Sequence, residues 1–176
     1  MKWLSEDYKN LRALYVHQLR VLLSAEEQLV RALPNMEIRA TDDQLRGVLR
    51  SHLQETELHI QRLEQILGEQ KKADPAVTSV GAEKCKAIAA LVTEAEDMMV
   101  DAPNVRVRDA GLIAAAQRVE HYEMASYGTA RQWARVLSET AEAELLDQTL
   151  KEERHADELL SSIAERINPH AHALVA

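Results

Sequence analysis

The residues of this chain that could do chemistry are acids and histidines placed at helical spacing. Glu120 and Glu123 lie three residues apart, on the apolar face of a long predicted helix. That face is marked by Ile113, Ala116, Tyr127, Ala130, Ala134 and Leu137. Ionised carboxylates are costly in an apolar core unless a positive group meets them. This pair of acids therefore indicates a buried site in which a cation compensates their charge.

Three other predicted helices carry acids on the face that should be buried. Glu26 occupies the one gap in the apolar stripe of the first helix. Either Glu55 or Thr56 faces inward in the middle of the second helix. On the last helix, Glu153 and Asp157 interrupt the apolar stripe, and Asp157 is either a ligand or a salt-bridge partner beside the site.

Two histidines of the second helix, His52 and His59, share the inward face with these acids. An imidazole there is either a metal ligand or a core side chain hydrogen-bonded to a neighbouring polar group. Glu152-x-x-His155 on the last helix matches the Glu-x-x-His ligand motif of di-metal bundles. The helical phase nevertheless predicts that Glu153 points inward and that His155 points towards solvent.

The junctions between helices indicate that the acids meet at one level of the bundle. In a tight antiparallel pair, residues equidistant from the turn lie at the same height. Glu26 and Glu55 are equidistant from the turn predicted between the first two helices, and Glu120 and Glu153 from the turn between the last two. The sequence therefore predicts that carboxylates from four helices converge.

Four or five carboxylates with a few imidazoles form a donor set that suits Fe and Mn, and sometimes Zn. We therefore predict a centre of two metal ions, with iron favoured and manganese or zinc as alternatives. No catalytic residue is assigned. The candidate metal ligands are Glu26, Glu55, Glu120, Glu123, Glu153, His52, His59 and Asp157.

Three further side chains have simpler interpretations. Tyr127 follows Glu123 by one turn and is predicted to pack in the core, although its hydroxyl could reach a ligand carboxylate. His121 points away from the acid stripe and is predicted at the surface. The lone Cys85 is predicted to be a small core residue.

Composition and periodicity predict the elements that position these residues. The chain has 176 residues, of which 46% are hydrophobic, with 5 Gly, 4 Pro and no Phe, which is typical of long helices. The first helix is predicted to continue with a kink through Pro34, a Thr41-x-x-Gln44 capping box to open the second, and Asn104 to cap the helix that follows the short one. The predicted helices are approximately Ser5–Ala40, Thr41–Gly68, Glu83–Val100, Val105–Leu137 and Ser138–Asn168.

The lengths of the connections predict the topology. The two long helices at each end of the chain are joined tightly, so each pair is antiparallel, and a long connection with a short helix joins the pairs. The fold class is therefore all-α, a ferritin-like four-helix bundle with one long crossover carrying an extra short helix. We assign residues 1–169 to the bundle, closed by Asn168-Pro169, and residues 170–176 to a C-terminal tail.

Charge and hydropathy exclude several functions. The net charge of −8 argues against a nucleic-acid partner, since phosphate binding needs clustered Lys and Arg. No segment approaches 18 uninterrupted apolar residues, and the acidic start lacks the apolar run of a signal peptide. A single cysteine suits a reducing compartment. We therefore expect a cytoplasmic protein with no membrane partner.

Six segments of the sequence carry a family resemblance: Ser24–Leu29, His52–Thr56, Asp109–Gln117, Val119–Glu123, Tyr127–Thr129 and Leu150–Glu153. They resemble the YciF/YciE family of bacterial ferritin-like proteins, and the likeness covers nearly the whole chain. The resemblance implies a ferritin-like bundle that is usually a homodimer and is linked to stress responses. It also implies rubrerythrin-like acid positions at Glu26, Glu55, Glu120, Glu123 and Glu153.

Two functions from different classes follow from these observations. The first is a stress-associated protein with a dinuclear non-haem Fe or Mn centre that reacts with a small oxidant, oxygen or peroxide. The second is a non-catalytic homodimeric stress or interaction protein whose metal site is vestigial or empty. Metal binding should raise the stability of the first and leave that of the second unchanged.

Overall fold

The fold is a bundle of long helices, seen in a computed structural model that describes residues 8–74 and 84–172. These residues form five α-helices and no strand, which confirms the predicted all-α class. The helices are α1 (Leu11–Arg39), α2 (Asp43–Ala73), α3 (Lys86–Asp101), α4 (Val105–Val136) and α5 (Thr140–His172).

The four long helices pack in the order that the connections predicted. Helix α1 packs along α2, and α4 along α5, while α1 also contacts α4 and α2 contacts α5. The shorter α3 lies in the crossover and packs against α1 and α4. This arrangement confirms a ferritin-like four-helix bundle whose long connection carries one extra helix.

The first two helices begin one or more residues later than predicted. Helix α1 starts at Leu11, capped by the Asn10 side chain, and the predicted cap Ser5 lies outside the described residues. Helix α2 is capped by Asp42 rather than Thr41. The Thr41 hydroxyl instead donates to buried Asp109, at 2.6 Å, so the capping role moves to the next acid.

Two helices continue beyond their predicted ends. Helix α2 runs to Ala73 because Gln70, predicted in a loop, is buried and donates to Glu142 across the bundle at 2.8 Å. Helix α5 passes through Pro169 to His172, so Asn168-Pro169 does not close it. Residues 168–170 are exposed, so burial does not explain this extension, and the proline removes only its own N–H donor.

Other boundaries agree with the sequence. Helix α1 runs through Pro34, as expected. The side chain of Asn104 caps α4, accepting from the amides of Arg106 and Val107, as predicted. The predicted start of the short helix, Glu83, lies outside the described residues, as do residues 173–176 of the predicted tail.

The core consists of two apolar clusters along the bundle. One contains Leu29, Leu33, Leu45, Leu49, Leu112 and Leu160, with Cys85 buried among them as predicted. The other contains Tyr15, Leu19, Leu63, Ile66, Tyr127 and Leu146. Between these clusters in sequence lie His52 and His59 on α2, Glu120 and Glu123 on α4 and Glu153 on α5, and Glu26 lies where the two clusters meet on α1. The segments that separate the clusters therefore form a polar layer across the bundle.

Candidate metal centre

The polar layer contains six titratable side chains from α1, α2, α4 and α5. Each is at most 3% exposed to solvent: Glu26, His52, His59, Glu120, Glu123 and Glu153. All six were candidate ligands from the sequence. Spacings of three, four and seven residues keep the residues of each helix on one face, so the helices alone suffice to direct them inward.

Four of these side chains form a first group: His52, Glu120, Glu123 and Glu153. Their nearest potential ligand atoms all lie within 4.8 Å of one another. His52 Nε2 is 3.6 Å from Glu120 Oε1 and 4.0 Å from Glu123 Oε2. On the other side of the ring, His52 Nδ1 lies 4.0 Å from Glu153 Oε2.

A second group shares one residue with the first. It consists of Glu26, His59 and Glu153, again with ligand atoms within 4.8 Å of one another. His59 Nδ1 lies 3.4 Å from Glu26 Oε1 and 3.0 Å from Glu153 Oε1. Because the two oxygens of Glu153 face different groups, this carboxylate is placed to bridge two cations.

Most ligand atoms in the layer have no hydrogen-bond partner within the described part of the chain. These atoms are Oε2 of Glu26 and Glu120, both oxygens of Glu123 and Glu153, both nitrogens of His52, and Nδ1 of His59. A buried polar atom without a partner costs about 1–3 kcal/mol, and a charged one costs more. Oxygen donors with a few imidazoles are the ligands that Fe, Mn and Zn accept. The residues therefore fit bound metal ions, which would give these atoms partners.

The pKa values of the carboxyl groups in the layer are shifted in opposite directions. Burial, reinforced by the charges of neighbouring carboxylates, raises the pKa of Glu120 and of Glu123 well above the ordinary value. Burial also opposes ionisation of Glu153, but His59 and His52 outweigh it and lower the pKa of Glu153. Without a cation, burial and mutual repulsion therefore favour the protonated forms of Glu120 and Glu123.

The His59 imidazole is held by acids on both sides. Burial alone would lower the pKa of His59, but Glu152, Glu153 and Glu26 raise it to about 12. Glu152 contacts the outer nitrogen, with 3.0 Å between His59 Nε2 and Glu152 Oε2. Although partial burial opposes it, contact with His59 and Arg62 lowers the pKa of Glu152 to about 2.

The Tyr127 hydroxyl makes a second polar contact to a candidate ligand. The Tyr127 side chain packs in the core, as predicted, and its hydroxyl donates a short hydrogen bond to Glu26 Oε1. Burial, followed by the charges of Glu26 and Glu123, raises the pKa of Tyr127 well above its ordinary value. The hydroxyl therefore stays protonated and leaves Glu26 Oε2 as the unpartnered oxygen.

Two candidate ligands lie outside both groups. Glu55 is half-buried and belongs to neither group, because Thr56 takes the buried position between His52 and His59. The His52, Thr56 and His59 positions follow the helical four-three spacing, which turns residue 55 aside by about 100° from residue 56.

Asp157 borders the layer without joining it. It accepts a hydrogen bond from Gln117 at 3.1 Å and lies 3.3 Å from His121 Nε2. This agrees with the salt-bridge interpretation, and the exposure of His121 and His155 was also predicted correctly. Sequence reasoning missed Arg62, and it assigned Glu152 no role in the site. An arginine one turn after His59 was the available signal for this contact.

The fold and the layer together define a class: a ferritin-like four-helix bundle with a buried carboxylate and histidine cluster. Residues 10–172 match the family described as a domain of unknown function, DUF892, and the chain belongs to that family.

Two relatives agree with this assignment. The chain is 36% identical to protein YciF of Escherichia coli K12 over 158 residues, which cover 90% of this chain and 92% of YciF. The crystal structure of the E. coli stress protein YciF superposes with a TM-score of 0.81 at 35% identity, covering 92% of this chain and 98% of that one. YcfI from Rhodopseudomonas palustris, proposed as a structural protein, matches with a TM-score of 0.81 at 36% identity. The match covers 90% of this chain and 98% of YcfI.

None of the helices in the described residues combines the length and apolarity needed to cross a bilayer.

Proposed function

We propose that this protein binds a dinuclear non-haem metal centre, of iron or manganese, in the polar layer. The observation that carries the proposal is a pair of ligand groups that share Glu153. Most of their potential metal-ligand atoms are buried without a hydrogen-bond partner in the described residues. Two divalent ions would offset the carboxylate charge and bind the free lone pairs at once. Zn fits the same donors and is the alternative metal.

The side chains have distinct roles in this proposal. Glu120, Glu123 and His52 would hold one ion, Glu26 and His59 would hold the other, and Glu153 would contribute an oxygen to each. Burial favours the protonated forms of Glu120 and Glu123, so metal binding would compete with protons for these two carboxyl groups. The Tyr127 hydroxyl keeps Glu26 in one orientation. The apolar clusters on both sides limit the access of water.

A bound iron or manganese pair would supply redox chemistry with a small oxidant such as oxygen or peroxide. We further propose that this activity belongs to a cytoplasmic stress response and that the protein is a homodimer. Support for the stress role comes from the relative in E. coli, which is described as a stress protein.

A non-catalytic structural role is the second candidate. The raised pKa values favour neutral forms of Glu120 and Glu123, which makes a metal-free layer less costly than four ionised carboxylates. The proposed structural role of YcfI is consistent with this alternative.

Metal titration distinguishes the two candidates. Protein purified without chelator is analysed for metals, then titrated anaerobically with Fe(II) and exposed to air. We expect about two ions per chain and a new near-UV absorption band. The matched variants are E123Q, which removes a ligand whose oxygens have no partners, and E142Q, which changes a buried glutamate outside the layer. Metal uptake should fall in E123Q, because the first ligand group loses a carboxylate, and should be unchanged in E142Q. No uptake by the wild type would favour the structural role.

A further inference from the structure

Glu152 lies on the outer side of His59, opposite the ligand groups. Its Oε2 is 3.0 Å from His59 Nε2, whereas His59 Nδ1 faces Glu26 and Glu153. Glu152 is partly exposed, while Glu153, the next residue on α5, is fully buried. Glu152 and Glu153 therefore contact opposite edges of the His59 ring. Glu152 does so from the partly exposed side and Glu153 from the buried side.

Arg62 fixes the Glu152 carboxylate in place. Arg62 sits one turn after His59 on α2 and donates to both carboxylate oxygens, with 3.0 Å between Nη2 and Oε1. The same guanidinium donates to Thr149 Oγ1 at 3.0 Å, and Gln148 donates to Glu152 Oε1 at 3.3 Å. A carboxylate held by a two-pronged arginine contact has little rotational freedom.

Metal binds a neutral imidazole, and in that form of His59 this contact determines which nitrogen carries the hydrogen. A carboxylate paired with an arginine only accepts hydrogen bonds, so Nε2 must be the donor. In a neutral imidazole the other nitrogen, Nδ1, then has the free lone pair. Nδ1 is the nitrogen that lies among the acids of the second group and lacks a hydrogen-bond partner in the described structure.

We propose that Glu152 is a positioning residue: it fixes the tautomer and ring orientation of His59 so that Nδ1 is offered to a metal ion. This inference rests on the proposed function, and it gives the Glu152-x-x-His155 motif a different meaning. Glu152 acts behind a ligand instead of binding metal, and His155 is exposed.

The other histidine of the layer provides an internal contrast. Neither ring nitrogen of His52 has a hydrogen-bond partner in the described part of the chain. In the described residues, no carboxylate outside the ligand groups is hydrogen-bonded to His52 to select its tautomer. Removing the Glu152 carboxylate should leave His59, like His52, without a hydrogen-bond partner that selects its tautomer.

The inference is tested with Zn(II), which is diamagnetic and permits NMR of the histidines. Affinity is measured by competition with a chromophoric chelator for the wild type, E152A, E152Q and E165A. E165A removes one negative charge from an exposed position on the same helix and controls for net charge. We expect E152A to bind Zn(II) about 10- to 100-fold more weakly, E165A to match the wild type, and E152Q, which keeps an acceptor oxygen, to lie between them.

Long-range ¹H–¹⁵N correlation gives a readout that a merely structural role would not change. In the Zn(II)-loaded wild type, His59 should be protonated at Nε2 and coordinated through Nδ1, and E152A should show a mixture of tautomers. Coordination through Nε2 in the wild type, or equal affinities of E152A and E165A, would overturn the role of Glu152 and leave the metal site standing. A wild type that binds neither Zn(II) nor Fe(II) would overturn both proposals.

Discussion

Two buried tyrosine–glutamate pairs in this bundle have opposite characters. In the pair towards the α1 start, Glu142 Oε2 accepts from the Tyr15 hydroxyl at 2.7 Å, and Glu142 Oε1 accepts from Gln70 at 2.8 Å. In the polar layer, Tyr127 donates to one oxygen of Glu26, and the second oxygen has no partner in the described structure. The chemistry of each pair is the same, but the number of donors supplied to it differs.

The surroundings explain the difference. The Glu142 network continues to Arg12, which donates to Gln70 at 2.7 Å and pairs with Glu139 at 2.7 Å near the surface. That network is complete without any ligand. In the layer, the neighbours of Glu26 are further acids and imidazoles. A buried polar network that is satisfied stabilises the core, whereas one left unsatisfied is costly unless another group completes it.

The largest expected effect comes from the shared ligand of the layer. E153Q should remove metal-dependent stabilisation, because both ligand groups lose the same residue. For the wild type, free metal at 100 times Kd would add about 2.7 kcal/mol to the free energy of unfolding. Thermal and denaturant unfolding with and without Mn(II) measure this gain. Equal gains in E153Q and the wild type would contradict the shared role.

The next effect concerns the satisfied network. E142L should destabilise the protein by about 2 kcal/mol with or without metal, because it leaves the Tyr15 hydroxyl and the Gln70 amide without acceptors. Urea unfolding measures the loss. A neutral result for E142L would show that the two glutamates do not differ in the way described above.

A smaller effect of opposite sign is expected in the layer. E123M should stabilise the metal-free protein by about 1 kcal/mol, since both oxygens of Glu123 are buried without partners and an apolar side chain removes that cost. Urea unfolding in excess chelator is the appropriate measurement. Destabilisation of the metal-free protein by E123M would indicate that Glu123 stabilises the fold by itself.

The smallest effect is a pH dependence of the satisfied network. Burial raises the pKa of Glu142 above its ordinary value of 4.5, although Gln70 and Tyr15 oppose the shift. The folded state then binds this proton more tightly than the unfolded state. The contribution of Glu142 to stability therefore falls as pH rises from 4.5 to the raised value.

The matched variant for this pH effect is E142Q. The free energy of unfolding of the wild type minus that of E142Q should decrease across this pH range. Glu120 and Glu123 titrate in both proteins, so their contribution cancels in the difference. A difference that increases with pH would mean that hydrogen bonding lowers the pKa of Glu142 more than burial raises it.

Periodicity predicted the helices and their buried positions better than the contacts between side chains of different helices. Helical spacing identified the buried positions of Glu26, Glu120, Glu123 and Glu153, and capping chemistry located the start of α4 at Asn104. The end of α2 was not predictable, because it depends on Gln70 meeting Glu142, which is 72 residues away. The choice of Asp42 over Thr41 as a cap likewise depends on Asp109 of another helix.

The sequence by itself determined that four helices would each present charged side chains to one interior layer, because a period of 3.6 residues fixes which positions share a face. Only the tertiary structure decided what those side chains meet. It left Glu55 aside, set Glu152 behind His59, and gave Glu142 the donors that Glu123 lacks. Hydrogen-bond partners come from other helices, and their identity depends on packing distances that no local pattern contains.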